Sequence, residues 1–265
     1  MTLHVTTTGT ADGPTVVLLH GLGVSSWMWD AQVAALADGF RCVTVDLPGS
    51  GASSGTPWES TSATAAAVAE VVADVADDGA AHVVGLSLGG YVGLALLAEH
   101  PDRVRSAVLS GITAAPLTPA WFWGATLRAT LALLRVPAFV RANAAMMQLA
   151  DEQRTAFVAD AARMDRPSAR RISAELLHHR VPPLGPHAER LLVVAGDGEA
   201  RAIREGLAAF AATGATAAVV PRAHHAWSGE HPDLFSRTVR CWTLEGALPP
   251  ELQPVPAPPG ALHRS

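Results

Sequence analysis

The feature that most constrains this chain is a serine between glycines, Gly85-Leu86-Ser87-Leu88-Gly89, flanked by two apolar segments. Residues 81–86 are typical of a buried strand, and residues 91–100 have the spacing of a helix. A direct turn from strand to helix is so tight that only small residues fit two places before and two places after the serine. The pattern therefore predicts that Ser87 lies at the apex of this turn with its hydroxyl exposed.

Strand-like and helix-like runs alternate over the first 110 residues and again after residue 190. Beyond a weak edge strand at 3–7, the predicted strands are Thr15–Leu19, Arg41–Val45, Ala81–Leu86, Val104–Ser110, Leu191–Ala195 and Ala217–Val220. Strands that alternate with helices favour βαβ units. The fold class predicted is therefore α/β, with a mostly parallel central sheet flanked by helices.

The alternation stops between residues 112 and 185, where only helical patterns are found. Helices are predicted there over Trp121–Arg135, Ala138–Leu149, Asp151–Met164 and Ser168–His179. We predict a core in two parts, 1–111 and 186–247, an all-helical insertion over 112–185 and a proline-rich tail over 248–265. Because the tail has no periodicity, we expect it to be disordered or loosely attached to the surface.

Composition excludes several functional classes. The net charge is −5 and no basic patch is present, so we expect no nucleic-acid partner. All 19 cationic residues are arginine, which excludes lysine Schiff-base chemistry. Cys42 and Cys241 do not stand at metal-ligand spacing and form no disulfide framework, which favours a reducing compartment. Residues 1–13 are polar and lack the pattern of a signal peptide, so we expect a cytoplasmic protein.

One uncharged stretch, Ala80–Ala98, has the length of a membrane-spanning helix. Four glycines interrupt it, with the pair Gly89-Gly90 at its centre. A buried strand followed by a buried helix explains the same hydropathy better. We therefore expect no membrane segment.

A serine hydroxyl becomes a nucleophile when a base lies within hydrogen-bonding reach and an acid orients that base. On an α/β sheet these groups follow in the order serine, acid, histidine. His224 and His225 directly follow the last predicted strand of the core, at the sheet edge where catalytic groups gather. The other candidate histidines lie inside predicted elements or at a helix start: His82, His178, His179 and His231. The pair His224-His225 is therefore selected.

Two carboxylates remain as candidates for the acid. Asp197 and Glu199 both lie in the loop after the predicted strand 191–195. Asp197 also suits a cap or a tight turn before the next helix. The loop 111–113, after the preceding strand, contains no acid.

An acyl-transfer serine also needs hydrogen-bond donors for the developing oxyanion. The turn directs the backbone N–H of Leu88 toward that position. A second donor is expected from the loop His20-Gly21-Leu22-Gly23, because it follows an earlier central strand and its glycines allow close approach of the backbone.

These motifs together resemble those of the α/β-hydrolase family. The motifs occur in the same order as in the family and span about residues 15 to 245. They are the loops 20–23, 46–53, 85–90 and 196–199, and His225 ahead of a Trp and a helix that starts with Glu-His-Pro. It implies a mostly parallel sheet with the insertion as a helical lid, and no cofactor. In the family an aspartate usually stands three residues after the loop glycine, where this chain has Glu199. A glycine usually precedes the catalytic histidine, where this chain has His224.

The resemblance implies a triad of Ser87, Glu199 and His225, with Leu22 and Leu88 as oxyanion donors. The lid aromatics Trp121, Phe122 and Trp123 are expected to form an apolar roof over the pocket.

The predicted function is a serine hydrolase that acts on a small-molecule ester, lactone or thioester of apolar character. A serine at the apex argues against the dehalogenase and epoxide-hydrolase branches, in which an aspartate is the nucleophile. The alternatives are a C–C bond hydrolase of a diketone-like or meta-cleavage product and, in a different class, a ligand-binding receptor on the same scaffold.

Overall fold

The central element of the computed structural model is one mixed sheet. The structure describes residues 1–134, 136–146 and 151–258, and across these ranges eight strands pair in the order β1-β3-β2-β4-β5-β6-β7-β8. Strands β2 to β7 run parallel, and β1 and β8 pair antiparallel at the two edges. The predicted fold class is confirmed. The strand bounds are β1 His4–Gly9, β2 Thr15–Leu19, β3 Arg41–Asp46, β4 Ala81–Leu86, β5 Val104–Ser110, β6 Leu191–Gly196, β7 Thr216–Val220 and β8 Gln253–Pro254.

Helices cover both faces of the sheet because its central strands are apolar on both sides. On β2, Val17 and Leu19 belong to one core cluster, and Val16 and Leu18 belong to the other. This is the two-residue alternation of a strand buried on both faces. The helices that cover the first cluster are α2 (Thr61–Val75), α3 (Leu88–Glu99) and α8 (Arg201–Ala212). The helices that cover the second cluster are α1 (Asp30–Leu36), the short α9 (Trp227–Glu230) and α10 (Pro232–Glu245).

The segment between β5 and β6 contains helices and no strand among its described residues, which confirms the all-helical insertion. Its helices are α4 (Ala120–Leu133), α5 (Pro137–Met146), α6 (Asp151–Arg163) and α7 (Arg166–Leu177). The predicted helix ends at Arg135 and Leu149 lie outside the described residues. His178 and His179, predicted inside a helix, follow the end of α7.

Polar side chains of the insertion fasten it to the loops at the sheet edge. The Glu175 carboxylate of α7 accepts the Trp58 indole N–H at 3.1 Å and the Thr61 backbone N–H at 2.8 Å. The Trp58 backbone N–H donates to Ser168 Oγ at 2.7 Å. Buried or half-buried polar groups that lose water need such partners. These contacts fix α7 against the core.

The expectation of a loosely attached tail is wrong for its first part. Residues Gln253–Pro254 form β8, which pairs antiparallel with β7, and the Val255 N–H donates to the Ala217 carbonyl at 2.8 Å. Leu252 is buried against the second core cluster. Proline is tolerated in β8 because an edge strand leaves one row of backbone groups unpaired. The tail from residue 259 onward lies outside the described residues.

The uncharged stretch Ala80–Ala98 forms β4 and most of α3, as predicted. Within the described parts of the chain, no helix is both long enough and apolar enough to cross a bilayer.

Candidate active site

The structure forms the sharp turn that the glycine pattern predicts. Ser87, between β4 and α3, has φ 55° and ψ −116°, a strained conformation for a residue with a side chain. A Cβ on Gly85 would lie 2.3 Å from the Gly89 carbonyl oxygen, and a Cβ on Gly89 would lie 2.0 Å from that of Leu19. Only glycine fits these two positions, so the turn is fixed by its neighbours and not by Ser87 alone.

The loop after β2 is held against this turn by the buried His20. The Leu47 backbone N–H donates to His20 Nε2 at 2.9 Å, so the ring proton lies on Nδ1 and donates to the Gly21 carbonyl at 2.8 Å. Burial lowers the pKa of His20, which keeps the ring neutral. The His20 carbonyl accepts the Gly89 N–H at 3.0 Å and joins the loop to the start of α3.

Of the expected oxyanion donors, Leu88 adjoins Ser87 in sequence, and Leu22 belongs to a loop that approaches Ser87. Leu88 is the first residue of α3, and the N–H groups of a first helical turn have no carbonyl one turn back to bind. Leu22 follows Gly21, on which a Cβ would lie 3.6 Å from Ser87 Cβ. The backbone of the loop 20–23 therefore approaches the serine closely.

Glu199 and His225 are brought together. His225 Nδ1 lies 2.6 Å from Glu199 Oε1, and Glu199 Oε2 accepts the Gly196 N–H at 3.2 Å. The Glu199 side chain is 0% exposed, whereas the His225 side chain is 48% exposed. A buried carboxylate needs polar partners, and these contacts satisfy both of its oxygens. The arrangement fixes the imidazole and leaves its other edge accessible.

The end of β5 links this pair to the serine. The Ser87 N–H donates to the Ser110 carbonyl at 2.8 Å. The next residue, Gly111, has φ +71°, and a Cβ on it would lie 2.7 Å from His225 Cε1 and 3.4 Å from Glu199 Oε1. The backbone of Gly111 thus occupies the space beside the pair, which is a role that the sequence did not reveal.

Asp197 and His224, the alternatives left open by the sequence, have other partners. Asp197 is exposed, and its carboxylate accepts the Ala223 N–H at 3.3 Å. Backbone N–H groups, chiefly that of Arg222, hold the pKa of Asp197 below its usual value. His224 is 70% exposed on its side chain and contacts Glu230 Oε2 through its backbone N–H at 2.9 Å and through Nδ1 at 3.2 Å.

Three of the remaining candidate histidines, His82, His179 and His231, contact residues outside the Glu199 and His225 pair. His82 Nδ1 lies 2.8 Å from Ser106 Oγ on the neighbouring strand, and burial lowers the pKa of His82 to about 4. His231 Nε2 donates to the Arg222 carbonyl at 3.0 Å. His179 packs edge-on against Tyr91, with ring centroids 4.6 Å apart. Within the described ranges, no hydrogen bond or ring contact joins these three histidines to Glu199 or His225.

The lid aromatics form a row at the start of α4. The ring centroids of Trp121 and Phe122 lie 6.0 Å apart, and those of Phe122 and Trp123 lie 5.6 Å apart. In each pair the two rings are nearly perpendicular and meet edge to face. Trp121 is 75% exposed and Phe122 is 48% exposed, whereas Trp123 is half-buried. Covering exposed aromatic surface of this kind with a ligand lowers the free energy of the complex.

The chain belongs to the α/β-hydrolase family. A family model described as the alpha/beta hydrolase fold matches residues 14–171, which is more than half of the chain.

Among its relatives is a pimeloyl-[acyl-carrier protein] methyl ester esterase of Nitrosomonas europaea, 40% identical over 123 residues. That match covers 46% of each chain, so the chain spans about half the length of this relative. A hydrolase from Pseudomonas aeruginosa PA01 superposes with a TM-score of 0.73 at 29% identity, covering 92% of this chain and 94% of that one. A thermophilic esterase from Thermogutta terrifontis gives a TM-score of 0.71 at 25% identity, with 91% and 92% coverage.

Proposed function

We propose that the protein is a serine hydrolase that cleaves a small, apolar ester, lactone or thioester through an acyl-enzyme. The observation that carries this proposal is the 2.6 Å contact between His225 Nδ1 and the buried Glu199, beside the strained turn at Ser87. The similarity to proteins named as esterases supports the same reaction class.

In the proposed reaction, the Glu199 carboxylate accepts a hydrogen bond from Nδ1–H of His225, which keeps that proton on Nδ1 and leaves Nε2 free to act as a base. Nε2 takes the proton of the Ser87 hydroxyl as Oγ bonds to the substrate carbonyl carbon. The carbonyl oxygen becomes an oxyanion that the N–H groups of Leu22 and Leu88 stabilise. The bond between the carbonyl carbon and the leaving oxygen or sulfur then breaks, His225 protonates that atom, and the acyl group stays on Ser87.

Hydrolysis of the acyl-enzyme repeats the same steps with water as the nucleophile. His225 Nε2 takes a proton from water, whose oxygen attacks the acyl carbon. The second tetrahedral intermediate collapses, the C–O bond to Ser87 breaks, and Oγ recovers its proton from His225. Each transfer uses groups of this chain and one water molecule.

A panel of acyl esters, lactones, thioesters and a meta-cleavage diketone, with Ser87→Ala as the blank, tests the proposed function. We expect turnover of short apolar esters well above the blank. Turnover of the diketone alone would replace the ester assignment by C–C hydrolysis. Slow turnover of every substrate, together with a large ligand-induced increase in melting temperature, would favour the receptor.

Glu199→Gln is expected to reduce kcat by roughly 10⁴-fold, the loss typical of removing a triad acid. The amide keeps the size of the carboxylate but loses its charge, and it can present an N–H to Nδ1 and stabilise the wrong tautomer. Because the substitution is nearly isosteric, the melting temperature is expected to change little. The comparison combines steady-state kinetics with thermal unfolding.

Asp197→Asn is the matched control in the same loop. Asp197 accepts a backbone N–H at the surface, so its loss is expected to lower the melting temperature more than kcat. Loss of turnover in a well-folded Asp197→Asn, with an active Glu199→Gln, would make Asp197 the acid.

Trp121→Ala or Trp123→Ala is expected to shift the preferred acyl length and to leave the rate on acetate esters nearly intact. The reason is that a long acyl chain covers the apolar rings, whereas an acetyl group is too short to reach a lid. Specificity constants over a series of p-nitrophenyl esters provide the measurement. An equal loss on every ester would show that the rings are structural.

A further inference from the structure

A cleft of about 210 Å³ lies between α4 and the start of α7. Its lining combines three cations with an apolar floor: Arg128, Leu131, Ala132, Met164, Arg166, Ala169 and Arg170. No carboxylate of the described residues is part of this lining. A site of this composition is suited to a ligand with an apolar body and an anionic end.

Among the residues that the structure describes, the three arginines have no carboxylate partner. Within the described ranges, no ion pair involves Arg128, Arg166 or Arg170. Asp165, next to Arg166 in sequence, caps α7 by accepting the Ser168 N–H at 2.9 Å. Elsewhere ion pairs are formed by Arg41, Arg105, Arg154, Arg201, Arg237 and Arg240.

This cleft therefore brings together three arginines that have no ion pair among the described residues. All three guanidinium groups that line the cleft are positively charged, so an anion placed among them is attracted by each. Guanidinium groups also bind carboxylates and phosphates through paired hydrogen bonds.

The floor of the cleft reaches the loop expected to bind the oxyanion. A Cβ on Gly23 would lie 3.5 Å from the Met164 methyl carbon, and Gly23 is adjacent to Leu22. Met164 thus contacts the loop on one side and lines the cleft on the other. An acyl chain that starts at Ser87 has an apolar surface at Met164 and Leu131 to follow toward the arginines.

We propose that this cleft binds the anionic end, a carboxylate or a phosphate, of an ester substrate whose carbonyl lies at Ser87. This inference rests on the serine hydrolase function proposed above and narrows its substrate class. Arg166 and Arg170 lie one turn apart on α7. They bind the anion together with Arg128 of α4.

Three methyl esters with the same reacting carbonyl test the proposal: methyl hexanoate, monomethyl adipate and the methyl ester of ω-phosphonooxyhexanoic acid. The wild-type protein is expected to prefer at least one charged ester over methyl hexanoate. Arg166→Gln and Arg170→Gln are each expected to lower the charged-to-neutral ratio of kcat/KM about tenfold, through KM, since each removes a charged hydrogen-bond donor. The preferred charged ester identifies the anion as carboxylate or phosphate.

Arg154→Gln is the control for net charge. Arg154 lies on α6, is paired with Asp151 and does not line the cleft. Its substitution removes one positive charge from the same lid and is expected to leave the ratio unchanged. An equal fall in Arg154→Gln, or no fall in Arg166→Gln and Arg170→Gln, would overturn the proposal.

A binding measurement separates failure of the cleft from failure of the proposed function. Calorimetric titration of Ser87→Ala with the same three esters reports binding without turnover. Tighter binding of a charged ester, weakened in the Ser87→Ala, Arg166→Gln double variant, supports the cleft even if the wild-type protein hydrolyses none of the esters. Equal or absent binding of the charged esters overturns the proposed cleft.

Discussion

Ser87→Ala is expected to abolish covalent labelling by a fluorophosphonate probe and to reduce ester turnover by about 10⁶-fold, the loss typical of removing the serine of a triad. The probe forms a phosphorus–oxygen bond to an activated serine and releases fluoride, so the wild-type chain should gain the mass of one label. Alanine keeps the backbone and Cβ of residue 87, and the strained turn is fixed by Gly85 and Gly89. The melting temperature is therefore expected to stay within a few degrees of the wild type.

Ser62→Ala is the control for this experiment. Ser62 lies exposed on α2 and donates to Glu99, away from the turn. It should label and turn over like the wild type. Unchanged labelling of Ser87→Ala would show that another residue is the nucleophile.

His225→Ala is expected to reduce turnover by about 10⁵-fold or more, because loss of the base leaves the serine hydroxyl unactivated. In the structure His225 is the histidine in contact with the buried Glu199, at 2.6 Å. The half-exposed ring contributes little packing, so the folded state should persist. Steady-state kinetics on a p-nitrophenyl ester and a melting curve test both statements.

His224→Ala provides the matched comparison, since the two histidines are adjacent. His224 interacts with Glu230 at the surface, and its loss is expected to change turnover by less than about tenfold. A large loss in His224→Ala with an active His225→Ala would exchange their roles.

The sheet was predictable because its strands are short apolar runs bounded by turn residues. The predicted strands Thr15–Leu19, Ala81–Leu86 and Val104–Ser110 coincide with β2, β4 and β5. Strands buried on both faces leave this continuous pattern in the sequence. The predicted start of α3 was less accurate, because the helix begins at Leu88 and not at Tyr91. The turn imposes helical geometry on Gly89 and Gly90 despite the low helix propensity of glycine.

Features that depend on distant contacts were not predictable from local pattern. The strand β8 has only two residues and therefore shows no periodicity in the sequence. It is recognised as a strand by its pairing with β7. Gly111 lies beside Glu199 and His225, although the three residues belong to segments far apart in sequence. The same holds for the arginine cleft, where Arg128 of α4 meets Arg166 and Arg170 of α7. The sharp turn at Ser87 was predictable because its signal is local, in the glycines two places on either side.

The most direct test of the central claim is to identify the acylated residue during turnover. Wild-type protein mixed with p-nitrophenyl butyrate is quenched in acid within the first turnover and analysed by tandem mass spectrometry. The proposed mechanism predicts a burst of p-nitrophenol and a butyryl group on Ser87. Release of p-nitrophenol with the butyryl group on another side chain, or with no acylated chain, would contradict it.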